Sequence, residues 1–244
     1  MTLPTLPNIL AIETSSRSGS IALAVGPTLL LEHPLPPEQR HAAELMPAIQ
    51  RLTREAGWNP AEIHQLYLSI GPGSFTALRI AVALARTLAH ALGTRVVAVP
   101  SLDVIAENAP ASCPTLLPIL DAKRGQVFTA LYTRGPGGNL LRATEQHLTT
   151  PAAILAQALT LAPPNAPIAL LGEGVDYHRA AFADQPRVVE LPREFWAPRA
   201  AMVHRLGYRM AERQDFNDAA TLLPTYIRLP EAEEVYRKKH HLPL

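Results

Sequence analysis

The sequence predicts an α/β protein made of two successive βββαβα units, and three observations carry that expectation. Short aliphatic runs with no room for a helix alternate with longer runs whose apolar residues recur every three or four positions. Each half places three strand-like runs before its first helix, then one more strand before its second. The turn after the fourth strand is Gly71-Pro72-Gly73 in the first half and Gly172-Glu173-Gly174 in the second. Strands separated by helices pair in parallel and need cover on both faces, which is the layered α/β arrangement.

Residues 8–14 (NILAIET) form a short aliphatic run that reads as a buried strand, and the small polar SSRSG after it supplies turn residues. Residues 19–26 and 28–35 are the second and third strands. Only Gly26-Pro27 separates them, so the first three strands make an antiparallel meander. Next, Ala42, Leu45, Ile49, Leu52 and Ala56 share one helical stripe, with Arg40, Glu44, Arg51 and Arg54 largely away from it. Pro47 removes a ladder bond and is expected to kink or split this helix. A fourth strand at 65–71, a helix from Ser74 to about Leu92 and a strand at 95–101 complete the first unit.

The second unit repeats the order. Residues 115–120, 126–133 and 139–148 are three strands joined by the turns DAKRG and RGPGG. A helix at 151–159, a strand at 168–172, a helix near 176–183, a strand at 187–191 and a helix over 198–214 follow. Little residue identity links the halves, so the duplication is one of topology. The expected organisation is a first lobe over 1–104 and a second over 105–228. The last helix, about 198–213, is expected to pack back on the first lobe. The tail, 229–244, alternates acidic and basic clusters and reads as a solvated end.

Composition narrows the class. With 244 residues, 48% of them hydrophobic and 18% charged, the chain can bury one large core or two smaller ones. A net charge of +1 describes neither a nucleic-acid glove nor a polyanion mimic. Lysine occurs only at 123, 238 and 239, so arginine carries nearly all the positive charge, and no aromatic-basic cluster marks an RNA surface. The single Cys113 excludes an internal disulfide and fits a reducing compartment. The N-terminus lacks a basic n-region, and no window holds about 18 uninterrupted apolar residues, so a cytoplasmic location is expected.

The usual catalytic signatures are missing. No two of the nine histidines are four apart, so no helix presents a His-x-x-x-His metal pair. A phosphate loop needs Gly-Lys-Ser/Thr, and Lys123 in DAKRG stands in the wrong order. Gly71-x-Gly73 is followed by Thr76 rather than a third glycine, and no Gly-x-Ser-x-Gly elbow occurs. Asp103 and Asp121 are candidate cleft acids by position, but each also suits a helix cap or turn. An anion could meet Gly71, Gly73 and Ser74 at the helix start, together with Thr14 and Ser15 of the first hairpin. The plainer alternative has Ser74 capping the helix while the glycines make the turn.

The helix over 74–92 has almost no polar face. Phe75, Leu78, Val82, Ala85, Leu88 and Leu92 form one stripe, Ala77, Ile80, Leu84 and Ala91 lie on other sides, and only Arg79, Arg86 and His90 make a polar line. A stripe of about 100° suffices for one sheet, so the excess implies a second covering body. The helix over 42–56 adds its own stripe, and two such helices could meet an equivalent pair in a four-helix bundle. The expected contact residues are Leu45, Ile49 and Leu52 with Ala77, Ile80, Leu84 and Ala91.

Two facing βββαβα units make the duplicated architecture of the actin, Hsp70 and sugar-kinase (ASKHA) superfamily. There, a nucleotide sits between the halves, its phosphates held by hairpins that correspond to residues 13–18 and 121–125. More specifically, ILAIETS, RHAAELMP, GPGSFTALRI, VPSLDVIA and DAKRGQVF, in that order and spacing, resemble the TsaB (YeaZ) family, with weaker echoes at GEG and PTYIR. The chain departs from the family's usual form at Ala77, where glycine is common, and at Glu13, where aspartate is usual. The resemblance implies a non-catalytic scaffold and activator in threonylcarbamoyladenosine (t6A) modification of tRNA. Its implied partners are the transferase TsaD and the ATPase TsaE, with tRNA reached only through the complex. It also implies contact through the helix pair, with TsaD or, in its absence, a second copy. No intrinsic cofactor or metal is expected, beyond weak ATP or ADP at the partner interface. The alternative from another class is an independent enzyme: a nucleotide hydrolase, small-molecule kinase or degenerate glycoprotease-like peptidase.

Overall fold

The structure, a computed structural model, describes residues 6–36, 41–228, 236–237 and 239–240. Most of the expected tail over 229–244, and Arg40, lie outside the described residues.

The first unit runs β1 (Asn8–Glu13), β2 (Ser20–Val25), β3 (Thr28–Pro34), α1 (His41–Glu55), β4 (Gln65–Ser69), α2 (Phe75–Leu92), β5 (Arg95–Val99) and α3 (Ser101–Glu107). Its sheet has the order β3-β2-β1-β4-β5. β1, β2 and β3 pair antiparallel, whereas β4 lies parallel to both β1 and β5. The central strands are buried on both faces because successive side chains point to opposite sides. Leu10, Ile12, Ile21, Leu23, Leu66 and Leu68 meet Leu45, Ile49 and Leu52 of α1 and Val82 of α2. Ile9, Ala11, Ala22, Ala24, Tyr67 and Val97 face the other way. That second face is covered by the last helix, α6 (Ala200–Glu212), described below.

The second unit contains β6 (Thr115–Asp121), β7 (Val127–Thr129), β8 (Tyr132–Arg134), β9 (Leu140–Arg142), β10 (His147–Thr149), α4 (Pro151–Leu161), β11 (Ile168–Leu171), α5 (Val175–His178), β12 (Val188–Glu190) and α6 (Ala200–Glu212). Its sheet follows the order β10-β7-β6-β11-β12, with β8 pairing β6 and β9. The strand order of the first sheet therefore recurs, and the fold is the duplicated βββαβα architecture of the actin, Hsp70 and sugar-kinase superfamily.

Four local expectations need correction. The strand expected over 126–133 is broken into β7 and β8, although both keep one register against β6: Ile119 faces Thr129, and Leu116 faces Tyr132. Pro118 lies opposite the break and has no N–H for the ladder. Thr129 Oγ1 donates to the Pro118 carbonyl at 2.8 Å, and the Leu131 amide donates to Thr144 Oγ1 at 2.9 Å. The strand expected over 139–148 is split likewise, because Ala143 and Thr144 both donate to the Leu131 carbonyl. Pro47 does not split α1, which is one helix with the proline ring on its exposed side. A proline removes a single N–H from the helix ladder, and the face of α1 turned to the sheet keeps its packing. The sequence pattern predicts no helix at Ser101–Glu107, yet α3 forms there directly after Pro100.

α6 crosses the first sheet with Ala200, Val203 and Ala211 buried on it. Gly207 permits the close approach: a Cβ there would lie 2.7 Å from Cδ2 of Tyr67. Beyond α6, Asn217 runs along the edge of β5. Its amide donates to the Val96 carbonyl at 2.8 Å, and its Oδ1 accepts from the Ala98 amide at 2.7 Å. The chain then buries Leu222 in the α1–α2 core, and the Thr225 amide donates to the Ile70 carbonyl at 2.8 Å. The strap ends with Arg228 bonded to the Ala122 carbonyl and Gln126 of the second unit.

Candidate functional site

The end of β1 and the turn into α2 place Thr14, Ser15, Gly71, Gly73 and Ser74 close together. Their hydrogen bonds close on one another. The Ser74 amide donates to the Ser15 carbonyl at 2.7 Å, and the Gly71 amide donates to Ser101 Oγ at 3.0 Å. The amide and hydroxyl of Ser15 both donate to Glu13 Oε1, at 2.5 and 2.6 Å. Thr14 is buried, its hydroxyl donating to the Ala77 carbonyl at 3.4 Å. Three amides expected to face an anion are therefore spent inside the turn. Ser74 does not cap α2 with its side chain, which corrects the plainer expectation for that residue.

Glu13 is fully buried beneath this turn, and its Oε2 has no hydrogen-bond partner. Burial pushes its carboxyl up to about 7, against the opposing pull of the hydrogen bonds from the Ser15 hydroxyl and amide. A group protonated near neutrality adds little negative charge to the turn.

The second hairpin is polar and half open. Asp121 accepts from the Lys123 amide at 3.1 Å, which is the turn role foreseen for it. It also holds Lys123 Nζ at 2.9 Å and accepts from His178 Nε2 at 3.1 Å. Burial alone would raise the Asp121 carboxyl, but the bonds from Lys123 and His178 together hold it below the ordinary range. Glu173, in the echoing glycine turn, is raised by burial despite its bond from the Arg17 backbone. Asp103 proves to be neither cap nor turn residue. It binds Arg142 Nη2 at 2.8 and 2.7 Å, the Tyr132 hydroxyl at 2.6 Å and Gln146 at 3.3 Å, which fastens α3 to the second sheet. Four residues on, the buried Glu107 takes Arg205 at 3.0 Å and Arg209 at 3.1 Å from α6. Among the described residues, no three His, Cys, Asp or Glu side chains gather as a metal site.

The α1–α2 face differs in detail from the expected contact set. Leu45, Ile49, Leu52 and Ala77 are buried against their own sheet and offer no surface. The face that α2 turns inward is lined by Ala77, Leu78, Ala81, Val82 and Ala85, the only buried residues of its 18. Three of these five are alanines, which let the helix lie close to the sheet. Ile80 and Leu84 are half-buried, and Ala91 is exposed. Leu88, half-buried, and Leu92, 38% exposed, continue along the same helix outside the expected contact set, and on α1 Met46 is 44% exposed. By length and composition α2 could cross a membrane, but it carries Arg79 and Arg86 and packs its alanine face on the sheet.

The family described as "TsaD: tRNA N6-adenosine threonylcarbamoyltransferase" matches residues 33–236. The chain is 32% identical over 232 residues to the tRNA threonylcarbamoyladenosine biosynthesis protein TsaB of Bacillus subtilis (strain 168), covering 92% of this chain and 96% of that protein. It is 31% identical over 132 residues to TsaB of Escherichia coli (strain K12), 53% of this chain and 57% of the relative. The solved structure of YeaZ from Pseudomonas aeruginosa is similar at TM-score 0.77 and 26% identity, covering 91% of this chain and 100% of that one.

Proposed function

The chain belongs to the TsaB (YeaZ) family of tRNA threonylcarbamoyladenosine biosynthesis proteins, and on that premise we propose that it is the non-catalytic scaffold of its modification complex. It holds and activates a TsaD-type transferase and works together with a TsaE-type ATPase, reaching tRNA only through the assembly in the cytoplasm. The observation that carries this reading is the uncovered side of α2 and α1, where Ile80, Leu84, Leu88, Leu92 and Met46 keep apolar surface in water. Fully burying one such side chain is worth about 1.5–3 kcal/mol, so several together can drive a stable association. In the absence of the transferase, a second copy can cover the same surface. The turn at Gly71–Ser74 spends the amides of Gly71 and Ser74 internally, which favours a structural role for it. Any ATP or ADP contact there would be weak and would need the partner to complete it.

The test is co-purification of the chain with the TsaD-like protein of the same genome, followed by t6A measurement with and without the chain. A stable complex and t6A formation that requires both proteins is the expected result. Steady turnover of ATP or of a peptide by the purified chain alone would overturn the reading in favour of an independent enzyme.

A further inference from the structure

Beside the apolar face of α2 lies a groove of about 430 Å³ between that helix and the strap that follows α6. Its lining is Val82, Ala83, Leu223 and Pro224 with Arg79, Arg86, Thr87 and Tyr226. We propose that this groove receives an acidic, apolar-anchored segment of the partner protein, whose carboxylates pair with Arg79 and Arg86. The proposal rests on the scaffold reading above and names the charge that the partner must bring.

Charge complementarity carries the choice of occupant. α2 holds Arg79, Arg86 and His90 and not one acidic residue, and none of the described residues lining the groove is acidic. The two arginines stand seven positions apart, which on an α-helix is two turns: the same side, about 10 Å apart. A facing helix with carboxylates at positions i and i+7 would match both. Arg79 is already set in place, with its guanidinium stacked 3.8 Å over the Phe75 ring and its Nε donating to the Tyr226 hydroxyl at 2.9 Å. An arginine fixed before binding loses little side-chain entropy on pairing. Arg86 is exposed, and no hydrogen bond or ion pair holds it to another described residue.

The walls distinguish a protein segment from RNA. Leu223 is 67% exposed at the rim, with Val82 and Ala83 in the lining. An RNA strand would need a line of cations along its phosphates, whereas an amphipathic segment needs an apolar floor with charges at the rim. The groove also continues the apolar surface of Ile80 and Leu84 along one helix, so a single partner can cover both.

The experiment measures affinity between the full chain and its TsaD-like partner at low and high salt, for the wild type, Arg86→Glu, Arg86→Lys, Leu223→Glu and Leu84→Arg. Charge reversal at Arg86 should weaken the complex at least about tenfold at low salt and flatten its salt dependence, because exposed ion pairs are screened. Arg86→Lys should retain most of the affinity, and Leu223→Glu, which puts a carboxylate on the opposite wall, should behave like the reversal. Native affinity in both Arg86→Glu and Leu223→Glu, with binding lost in Leu84→Arg, overturns the groove and leaves the scaffold reading standing. Native affinity in all variants overturns both. Weakened tRNA retention by the complex with unchanged protein–protein affinity would make the groove an RNA contact and overturn the proposal.

Discussion

Ser74 and Ser15 are joined backbone to backbone, the amide of one donating to the carbonyl of the other at 2.7 Å, and Gly73 sits against that bond with no room for a side chain. A Cβ at Gly73 would lie 2.2 Å from the Ser15 oxygen. The start of α2 is thus tied to the end of β1 by close backbone contact. Gly73→Ala should lower stability by at least about 2 kcal/mol, since the clash is with main chain that cannot rotate away. Ser74→Ala should be close to neutral, because the side chain makes no cap bond. Denaturant melts of the two variants give the comparison.

Glu13 sets a pH slope. In the fold its carboxyl titrates near 7, whereas in the unfolded chain it titrates near 4.5. Between those values the folded state binds more protons, so this contribution is full below about pH 4.5, falls as pH rises, and is gone above about 7. The span corresponds to about 3 kcal/mol. Glu13→Gln should flatten that slope and be the more stable protein at pH 8. Burial of His204 lowers its pKa and tilts stability the opposite way at acid pH, so urea melts across pH 5 to 8 should compare the variant with its parent.

Core and surface positions of the helix pair should separate cleanly. Leu45→Ala removes a side chain buried against the first sheet and should cost about 2–5 kcal/mol of stability. Leu84→Arg and Ile80→Arg alter half-buried positions; they should leave the unfolding midpoint within a few degrees of the parent while abolishing capture of the TsaD-like partner. Thermal melts paired with pull-downs read both effects.

Asp103 should matter for stability rather than chemistry. Asp103→Ala strands the buried Tyr132 hydroxyl and the Arg142 guanidinium, and should cost about 2–3 kcal/mol. Tyr132→Phe should cost about 1 kcal/mol alone and reduce the effect of Asp103→Ala in the double variant, which a mutant cycle measures.

Regular architecture was readable in the sequence because it rests on periodicity. Short apolar runs in residues 8–14 and 65–71 read as strands, and the repeated order of strands and helices pointed to the duplication. The broken strand at Ala130 was not readable from residues 126–133 themselves, since its cause is Pro118 on the neighbouring strand. The contact face was half readable. An excess of apolar residues on α2 was plain, but which arc meets the sheet depends on how closely Ala81 and Ala85 let the helix lie. Asp103 was misplaced for a similar reason: its partners Tyr132 and Arg142 lie 29 and 39 residues away in the chain, and local propensity carries no record of them.

The position of Asn217 bears on how the molecule is made. Its side chain and amide complete the outer margin of β5, and α6 just before it supplies the lid on the first sheet. A ribosome releases β1 through β5 long before either arrives, with the entire second unit still to be synthesised in between. The first unit therefore waits, one face bare and one margin open, until residues 200–217 emerge, and it is during that interval that a nascent chain has most need of a chaperone.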